Sequence, residues 1–210
     1  MKVIAINGCA RKNGNSAKML EYAIRGAREN GAKISSVNLY DLNYKGCTGC
    51  YACKKLGGSS YGRCAVRDDL THVLDMAIDA DAVLMASPIY WHDVTGELRS
   101  FMERFLFPTY TYSKERNKLY PHRIKIGMIY TMNLQESTYK DLILDHKKIF
   151  DRVIGDCEYV VAENTYQFDD YSQYDANMFD LEEKAMQRIE KFPIECENAY
   201  EMGKRLTNRG

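Results

Sequence analysis

The sequence predicts an α/β fold in which helices cover both faces of a parallel sheet. Five short apolar runs alternate along the chain with segments whose apolar residues recur at helical spacing. The runs contain few polar residues, as expected for strands that are buried on both faces. In such a sheet, ligands bind beyond the carboxyl ends of the strands. The segments that follow strands one, three and four are therefore the places to search for a site.

The predicted elements follow one another in a regular order. A strand over residues 2–7 leads into a helix over 15–30, which Gly31 ends because glycine accepts a positive φ. The later segments alternate in the same way: strand 33–39, helix 68–79, strand 82–86, helix 96–106, strand 124–131, helix 137–154 and strand 157–162. A final helical region begins at Asp180, and Pro193 divides it.

The composition is that of an ordinary globular protein. The 210 residues include 29 Lys and Arg and 29 Asp and Glu, which gives a formal net charge of zero. This balance offers no electrostatic argument for binding nucleic acid or an anionic membrane, and no apolar run approaches the ~20 residues that span a bilayer. We expect one domain over residues 1–210. We also expect a cytoplasmic location, because the apolar stretch at the N-terminus is too short for a signal peptide.

The segment after the first strand, residues 7–16 (NGCARKNGNS), combines glycines with positive charge and side-chain donors. Gly8 and Gly14 allow positive φ and a close approach of the backbone. Arg11 and Lys12 add charge, and the helix that follows adds free N–H groups and the positive end of its dipole. This combination suits a phosphate monoester. A plain strand-to-helix turn with an Asn or Ser N-cap is the alternative, and the segment alone favours neither.

Three better-known phosphate sites are excluded by the same segment. It lacks the Gly-Lys-Ser/Thr ending of a P-loop and the Gly-x-Gly-x-x-Gly turn of dinucleotide-binding folds. A cysteine phosphatase would place an arginine six residues after Cys9, where this chain has Asn15. Without that arginine, Cys9 is predicted to be a small loop residue and not a nucleophile.

An adjacent Tyr-Trp pair follows the third strand, in residues 87–96. Core packing explains Tyr90 and Trp91 poorly, whereas a flat wall for an aromatic ligand explains them well. A partly buried aromatic cluster or an oligomer contact is the alternative, but the position beyond a strand end favours the ligand. His92 is interpreted as a surface or capping residue.

Together, residues 7–16 and 87–91 (SPIYW) resemble the NADPH-dependent FMN reductase family. Its members are flavodoxin-fold flavoproteins and include iron–sulfur flavoproteins. The resemblance extends to further segments, which are the cysteine run at 47–53, Asp68 and Asp69, and residues 192–193 and 199–203. It implies a flavodoxin-like three-layer sandwich whose five parallel strands lie in the order 2-1-3-4-5.

The resemblance also implies a set of cofactor-binding residues. The FMN phosphate would be held by Arg11, Asn13, Asn15 and Ser16, together with Cys9, where relatives often have serine. The flavin would be lined by Pro88, Ile89, Tyr90 and Trp91. Thr131 and Met132 are expected near the flavin after the fourth strand, where relatives often carry a glycine-rich turn.

The function that the resemblance implies is an FMN-dependent NAD(P)H oxidoreductase. Its flavin would take a hydride at N5 and pass electrons, in ping-pong order, to a flavin, a quinone or another small acceptor. The cofactor carries this chemistry, so no side chain is predicted as a catalytic acid or base. Two alternatives remain: an electron-transfer iron–sulfur flavoprotein with no hydride donor of its own, and a redox-sensing or metal-binding module.

The cysteines favour reduced thiols or metal ligation over a disulfide framework. The chain has seven, and four of them form a Cys47-x2-Cys50-x2-Cys53-x10-Cys64 pattern in the aperiodic segment 40–67. Such spacing suits zinc or an iron–sulfur cluster. The last spacing is shorter in the iron–sulfur flavoproteins, so a cluster is not favoured here and no metal site is predicted.

Two aromatic-rich stretches suggest a homodimer. Residues 107–123 carry Lys114, Arg116, Lys118 and Arg123, whereas residues 163–179 carry several acidic residues. Aromatic residues are enriched at the centres of interfaces, and the opposite charges would let the stretches meet within one chain or between two. Two solvated loops are the alternative. The basic stretch is also a candidate for the phosphates of NADPH.

Overall fold

The computed structural model of the protein describes residues 1–115, 119 and 122–208. Within these residues the strands are β1 (Lys2–Asn7), β2 (Lys33–Asn38), β3 (Ala82–Tyr90), β4 (Asp93–Val94), β5 (Lys125–Thr131) and β6 (Cys157–Ala162). All but β4 form a parallel sheet in the order β2-β1-β3-β5-β6. This confirms the predicted order, because β4 is a two-residue strand that only pairs antiparallel with the end of β3.

The helices are α1 (Asn15–Glu29), α2 (Leu70–Ile78), α3 (Gly96–Thr109), α4 (Lys140–Val153), α5 (Leu181–Met186) and α6 (Phe192–Thr207). Successive strand residues point to opposite faces of a sheet. Val3 and Ala5 therefore join the buried cluster under α1 and α6, whereas Ile4 and Ile6 join the cluster under α2, α3 and α4. The predicted three layers are confirmed. None of the described helices is both long and apolar enough to cross a membrane.

Two glycines set the distance between α1 and α6. A Cβ atom on Gly26 would lie 2.0 Å from the carbonyl oxygen of Tyr200, and one on Gly203 would lie 2.0 Å from that of Ala23. Only glycine permits such an approach of two backbones. The close crossing keeps α6 and the segment before it beside the first helix, and hence beside the segment that follows β1.

Three boundaries differ from the sequence prediction by three residues or more. β3 continues past residue 86 to Tyr90, because the strand folds back on β4 instead of ending at Pro88. Helix α3 extends past the predicted end at 106 and contains Pro108. Helix α4 begins at Lys140, because the residues before it form a short 3₁₀ turn.

The predicted division of the last helical region is confirmed. Pro193 lies in the first turn of α6, and Gln187–Lys191 form a π-helical turn before it. Proline has no N–H with which to continue a helical hydrogen-bond ladder. The side chain of Gln187 anchors this turn, because its Nε2 donates to the carbonyl oxygen of Glu163 at 2.8 Å and to Glu195 Oε1 at 3.0 Å.

Candidate functional site

A cavity of about 570 Å³ opens at the carboxyl edge of the sheet, beyond the ends of β1, β3 and β5. Ten of the eleven predicted site residues line it: Cys9, Arg11, Asn15, Ser16, Pro88, Ile89, Tyr90, Trp91, Thr131 and Met132. Asn13 does not. It lines a neighbouring groove on the far side of the same loop. The structure therefore brings the three predicted segments to one place, although they are far apart in the sequence.

The loop after β1 reaches α1 without a side-chain cap. The N-cap residue of α1 is Gly14, and the first turn contains no acidic residue. The Asn or Ser N-cap of the alternative interpretation is therefore not what begins this helix. Free N–H groups at a helix N-terminus form an anion-binding position.

The glycines of this loop act through close approach and not through positive φ. Neither Gly8 nor Gly14 has a positive φ, contrary to that part of the expectation. A Cβ atom on Gly8 would lie 2.9 Å from Leu98 Cβ, and one on Gly14 would lie 3.2 Å from Arg11 Cβ. The loop needs the space that glycine leaves.

Hydrogen bonds join this loop to other strand ends. Ser16 Oγ and Thr131 Oγ1 lie 2.7 Å apart in a buried pair, which links α1 to the end of β5. Thr95 Oγ1 donates to the carbonyl oxygen of Gly8 at 2.6 Å. The backbone N–H of Thr95 donates to Ser87 Oγ at 3.0 Å, so the loop is also tied to the β3–β4 hairpin. These bonds fix the polar end of the cavity before any ligand arrives.

The aromatic end of the cavity is a strained two-residue turn. Trp91 and His92, between β3 and β4, have φ values of 47° and 62°. Two positive φ values are typical of a type I′ hairpin turn, which usually contains Asn or Gly. The Trp91 side chain is 99% exposed, and Tyr90 is about half exposed with its pKa raised by partial burial. Strain at bulky residues is common in ligand clamps and indicates a functional position here.

Four residues that sequence reasoning missed complete the cavity wall: Asn133, Thr165, Gln167 and Phe168. Three of them follow β6, whereas the predicted site residues lie at the ends of β1, β3 and β5. The buried ammonium of Lys184 holds this wall together. It donates to the side chain of Asn133 and to the carbonyl oxygens of Asn133 and Thr165, the latter at 3.2 Å. Burial lowers the pKa of this lysine, while the three acceptors satisfy its donors.

Residues 1–132 match the family model of the NADPH-dependent FMN reductases. The chain belongs to this family. The resemblance found in the sequence is thereby confirmed, and the matched range contains the loop after β1, the Tyr-Trp hairpin and the end of β5.

Individual relatives agree with this assignment. The chain is 34% identical over 106 residues to a protein of Archaeoglobus fulgidus named iron-sulfur flavoprotein, a match that covers 50% of this chain and 46% of that protein. The chain spans about half the length of the first curated relatives it matches.

Solved structures show the same fold at low sequence identity. An NAD(P)H:quinone oxidoreductase from Methanothermobacter marburgensis superposes with a TM-score of 0.69 at 15% identity, covering 100% of this chain and 98% of that one. An FMN-dependent NADH-azoreductase from Bacillus anthracis, solved in complex with FMN, gives 0.68 at 17% identity and covers 99% of both chains.

In this member of the FMN reductase family, the acidic and aromatic stretch 163–179 folds over the loop that follows β1. Arg11 Nη1 donates to the carbonyl oxygen of Gln167 at 2.8 Å, and Asn15 Nδ2 donates to that of Tyr166 at 3.0 Å. The aromatic rings of the stretch pack on one another, including Phe168 on Tyr174 with ring centroids 3.9 Å apart. Much of its aromatic content is thus explained within one chain.

The basic stretch 107–123 of the FMN reductase family member is only partly described. Arg116 and Lys118 lie outside the described residues. Lys114 is exposed, and Arg123 pairs with Asp156 at 2.6 Å. The role of this stretch, as an interface or as a phosphate site, stays a prediction.

The four clustered cysteines line one small cavity beside α3. Cys47 and Cys50 are exposed and Cys53 is buried, which raises the pKa of its thiol. Among the residues that the structure describes, no three His, Cys, Asp or Glu side chains are arranged to hold a metal ion. The four thiols are free cysteines in this structure, and the absence of a metal site at this segment stays a prediction.

Proposed function

We propose that the protein binds FMN in the cavity beyond β1, β3 and β5 and uses it to pass electrons from NAD(P)H to a small acceptor such as a flavin or a quinone. One observation carries this proposal. A single cavity of about 570 Å³ joins a cationic, donor-rich loop at one end to an apolar and aromatic wall at the other. FMN has the matching shape, with a phosphate at one end and a flat ring system at the other.

The residues divide into two groups along the cavity. Arg11, Asn15, Ser16 and the N–H groups of α1 would hold the phosphate, because charge-assisted bonds to phosphate oxygens are strong. Pro88, Ile89, Tyr90, Trp91 and Met132 would contact the ring. Bound FMN supplies hydride acceptance and electron transfer, so the protein's part is to bind, orient and shield.

The protein purified from its expression host should contain FMN and should oxidise NADPH or NADH when a quinone is added. The bound flavin is released by heat and identified by chromatography, and oxidation of the nicotinamide is followed by its absorbance. FAD as the main species would contradict the cofactor assignment. Bound FMN without any NAD(P)H oxidation would instead favour the alternative, an electron carrier reduced by a partner protein.

Replacing Trp91 by alanine should weaken FMN binding by about 1–3 kcal/mol, the usual cost of losing an aromatic stacking partner. Titration of the apoprotein with FMN, followed by flavin fluorescence, measures the change. Trp91→Phe keeps an aromatic ring and should retain most of the affinity. Tyr112→Ala is the control, because Tyr112 is also largely exposed but does not line the cavity. Equal affinities for the Trp91→Ala protein and the control would contradict the assignment.

We further propose that the protein is a homodimer in which a second copy covers the aromatic end of the cavity. A tryptophan that is 99% exposed on a strained turn is costly unless something covers it. Light scattering at micromolar concentration should therefore give twice the chain mass of 24.2 kDa. A monomer at that concentration would contradict the proposal and leave Trp91 as a free ligand-capturing side chain.

A further inference from the structure

A groove continues from the polar end of the cavity along the outside of α1. It consists of two adjoining hollows of about 390 and 260 Å³, which share Asn15, Lys18, Tyr166 and Arg188 as lining residues. The first hollow also shares Arg11 with the proposed FMN cavity. The groove therefore begins beside the proposed position of the FMN phosphate.

The charge of this groove is positive. Its cations are Arg11, Lys12, Lys18 and Arg188, against the single carboxylate of Asp169. Lys12 is neutralised by Asp41 at 2.8 Å. Within the described part of the chain, neither Lys18 nor Arg188 has a carboxylate oxygen within 4.0 Å, so both are available to an anion.

Arg188 is held in place and not merely exposed. It stands in the π-helical turn that Gln187 anchors through its two side-chain hydrogen bonds. Its guanidinium carbon lies 5.0 Å from the centre of the Tyr166 ring, a cation–π distance that orients it over the groove. Single π-helical turns are frequent at functional sites.

The far hollow is lined by three aromatic side chains. Tyr22, Tyr166 and Phe192 line it together with Lys18 and Arg188. Aromatic faces accept a planar base by stacking, and adjacent cations accept a phosphate. The chemistry that fits both features is a phosphorylated adenosine.

We propose that this groove binds the phosphorylated adenosine end of NADPH, with Lys18 and Arg188 contacting its 2′-phosphate. The inference rests on the proposed function, because the nicotinamide must lie at the aromatic end of the cavity to reach the flavin. The groove adjoins the cavity in which the nicotinamide would lie, since Arg11, Asn15 and Phe168 line both. NADH lacks the 2′-phosphate, so the two cations would make the protein prefer NADPH.

Calorimetric titration of the FMN-loaded protein with 2′,5′-ADP tests the groove without any turnover. We expect the protein to bind 2′,5′-ADP more tightly than 5′-ADP. Each of Lys18→Ala and Arg188→Ala should lower the affinity for 2′,5′-ADP about tenfold, as for the loss of one charged contact to phosphate. In the assay, each variant should raise KM for NADPH by a similar factor and leave KM for NADH nearly unchanged. Arg28→Ala, on the last turn of the same helix and outside the groove, is the matched control.

The possible results test binding at the groove and the proposed reductase activity separately. Normal NADPH oxidation without binding of 2′,5′-ADP would overturn the groove and leave the reductase intact. Equal losses for NADPH and NADH in the two variants would overturn it too. FAD that binds as tightly as FMN in the unmodified protein, and loses affinity in both variants, would assign the groove to a flavin's own adenosine and overturn the proposal. Binding of 2′,5′-ADP that needs both cations, in a protein that oxidises no NADPH, would support the groove and contradict the proposed reductase.

Discussion

Replacing Arg11 and Ser16 together by alanine is expected to weaken FMN binding by about 3–6 kcal/mol, because each charge-assisted bond to phosphate contributes about 1.5–3 kcal/mol. Riboflavin has the same ring and ribityl chain but no phosphate, so its affinity should change little. Both side chains line the polar end of the cavity, and the buried Ser16 Oγ is already held by Thr131. Fluorescence titration of the apoprotein with each flavin gives the two affinities.

Lys12, in the same loop as Arg11 and Ser16, provides a control for this pair of substitutions. Lys12→Ala removes a cation from the same loop, but Lys12 pairs with Asp41 and does not line the cavity. Its FMN affinity should stay close to that of the unmodified protein. Equal losses for FMN and riboflavin in the Arg11→Ala/Ser16→Ala protein would show that the substitutions disturb the fold of the loop and not a phosphate contact.

The elements with the strongest apolar signal are the ones that the sequence predicts best. β1 is buried along nearly its whole length, so its apolar run identifies it without any knowledge of its neighbours. Gly31 has a φ of 75°, as its position after α1 requires. The end of β3 could not be predicted in this way, because Pro88 normally argues against a strand and the pairing with β4 depends on the turn at Trp91.

The cavity residues at the ends of strands could be predicted from the sequence. Those that are placed by contacts between distant segments could not. The rule that ligands bind beyond strand ends pointed to the three segments, and the family resemblance implied the ten lining residues within them. Lys184 carries no such signal, since a lysine on a late helix is usually solvated. Its burial depends on Asn133 and Thr165, which come from two different loops. The packing of residues 163–179 within one chain was likewise not predictable, because aromatic content does not reveal what a stretch packs against.

The cysteine segment shows most clearly that a stretch can have a defined structure although its apolar residues follow no helical or strand period. Residues 40–67 contain short 3₁₀ turns but no α-helix or strand. The segment is held from outside by Arg104 of α3, whose side chain is fully buried. In the sequence, Arg104 stands among the apolar residues of a predicted helix, where a charged residue is normally interpreted as facing solvent.

Replacing Arg104 by methionine is expected to lower the free energy of unfolding by about 3–5 kcal/mol, the usual cost of breaking a buried ion pair by removing one partner. The guanidinium donates to Asp68 Oδ2 at 2.6 Å and to the carbonyl oxygens of Lys45 and Val66 at 2.9 and 3.1 Å. Its Nε also donates to Cys64 Sγ at 3.3 Å. Methionine fills a similar volume but leaves these acceptors without a donor. Urea denaturation followed by circular dichroism measures the change.

Two further variants decide whether the buried pair is the cause. Arg99→Met lies on the same helix, but Arg99 is about half exposed and pairs with Asp93 at the surface, so it should cost no more than about 1 kcal/mol. Adding Asp68→Asn to Arg104→Met removes the stranded carboxylate and should restore part of the loss. Because the arginine also holds the segment down, Cys64 should react faster with a thiol reagent in the Arg104→Met protein. Similar losses for Arg99→Met and Arg104→Met, with unchanged reactivity of Cys64, would show that the segment is held by its apolar contacts and not by this arginine.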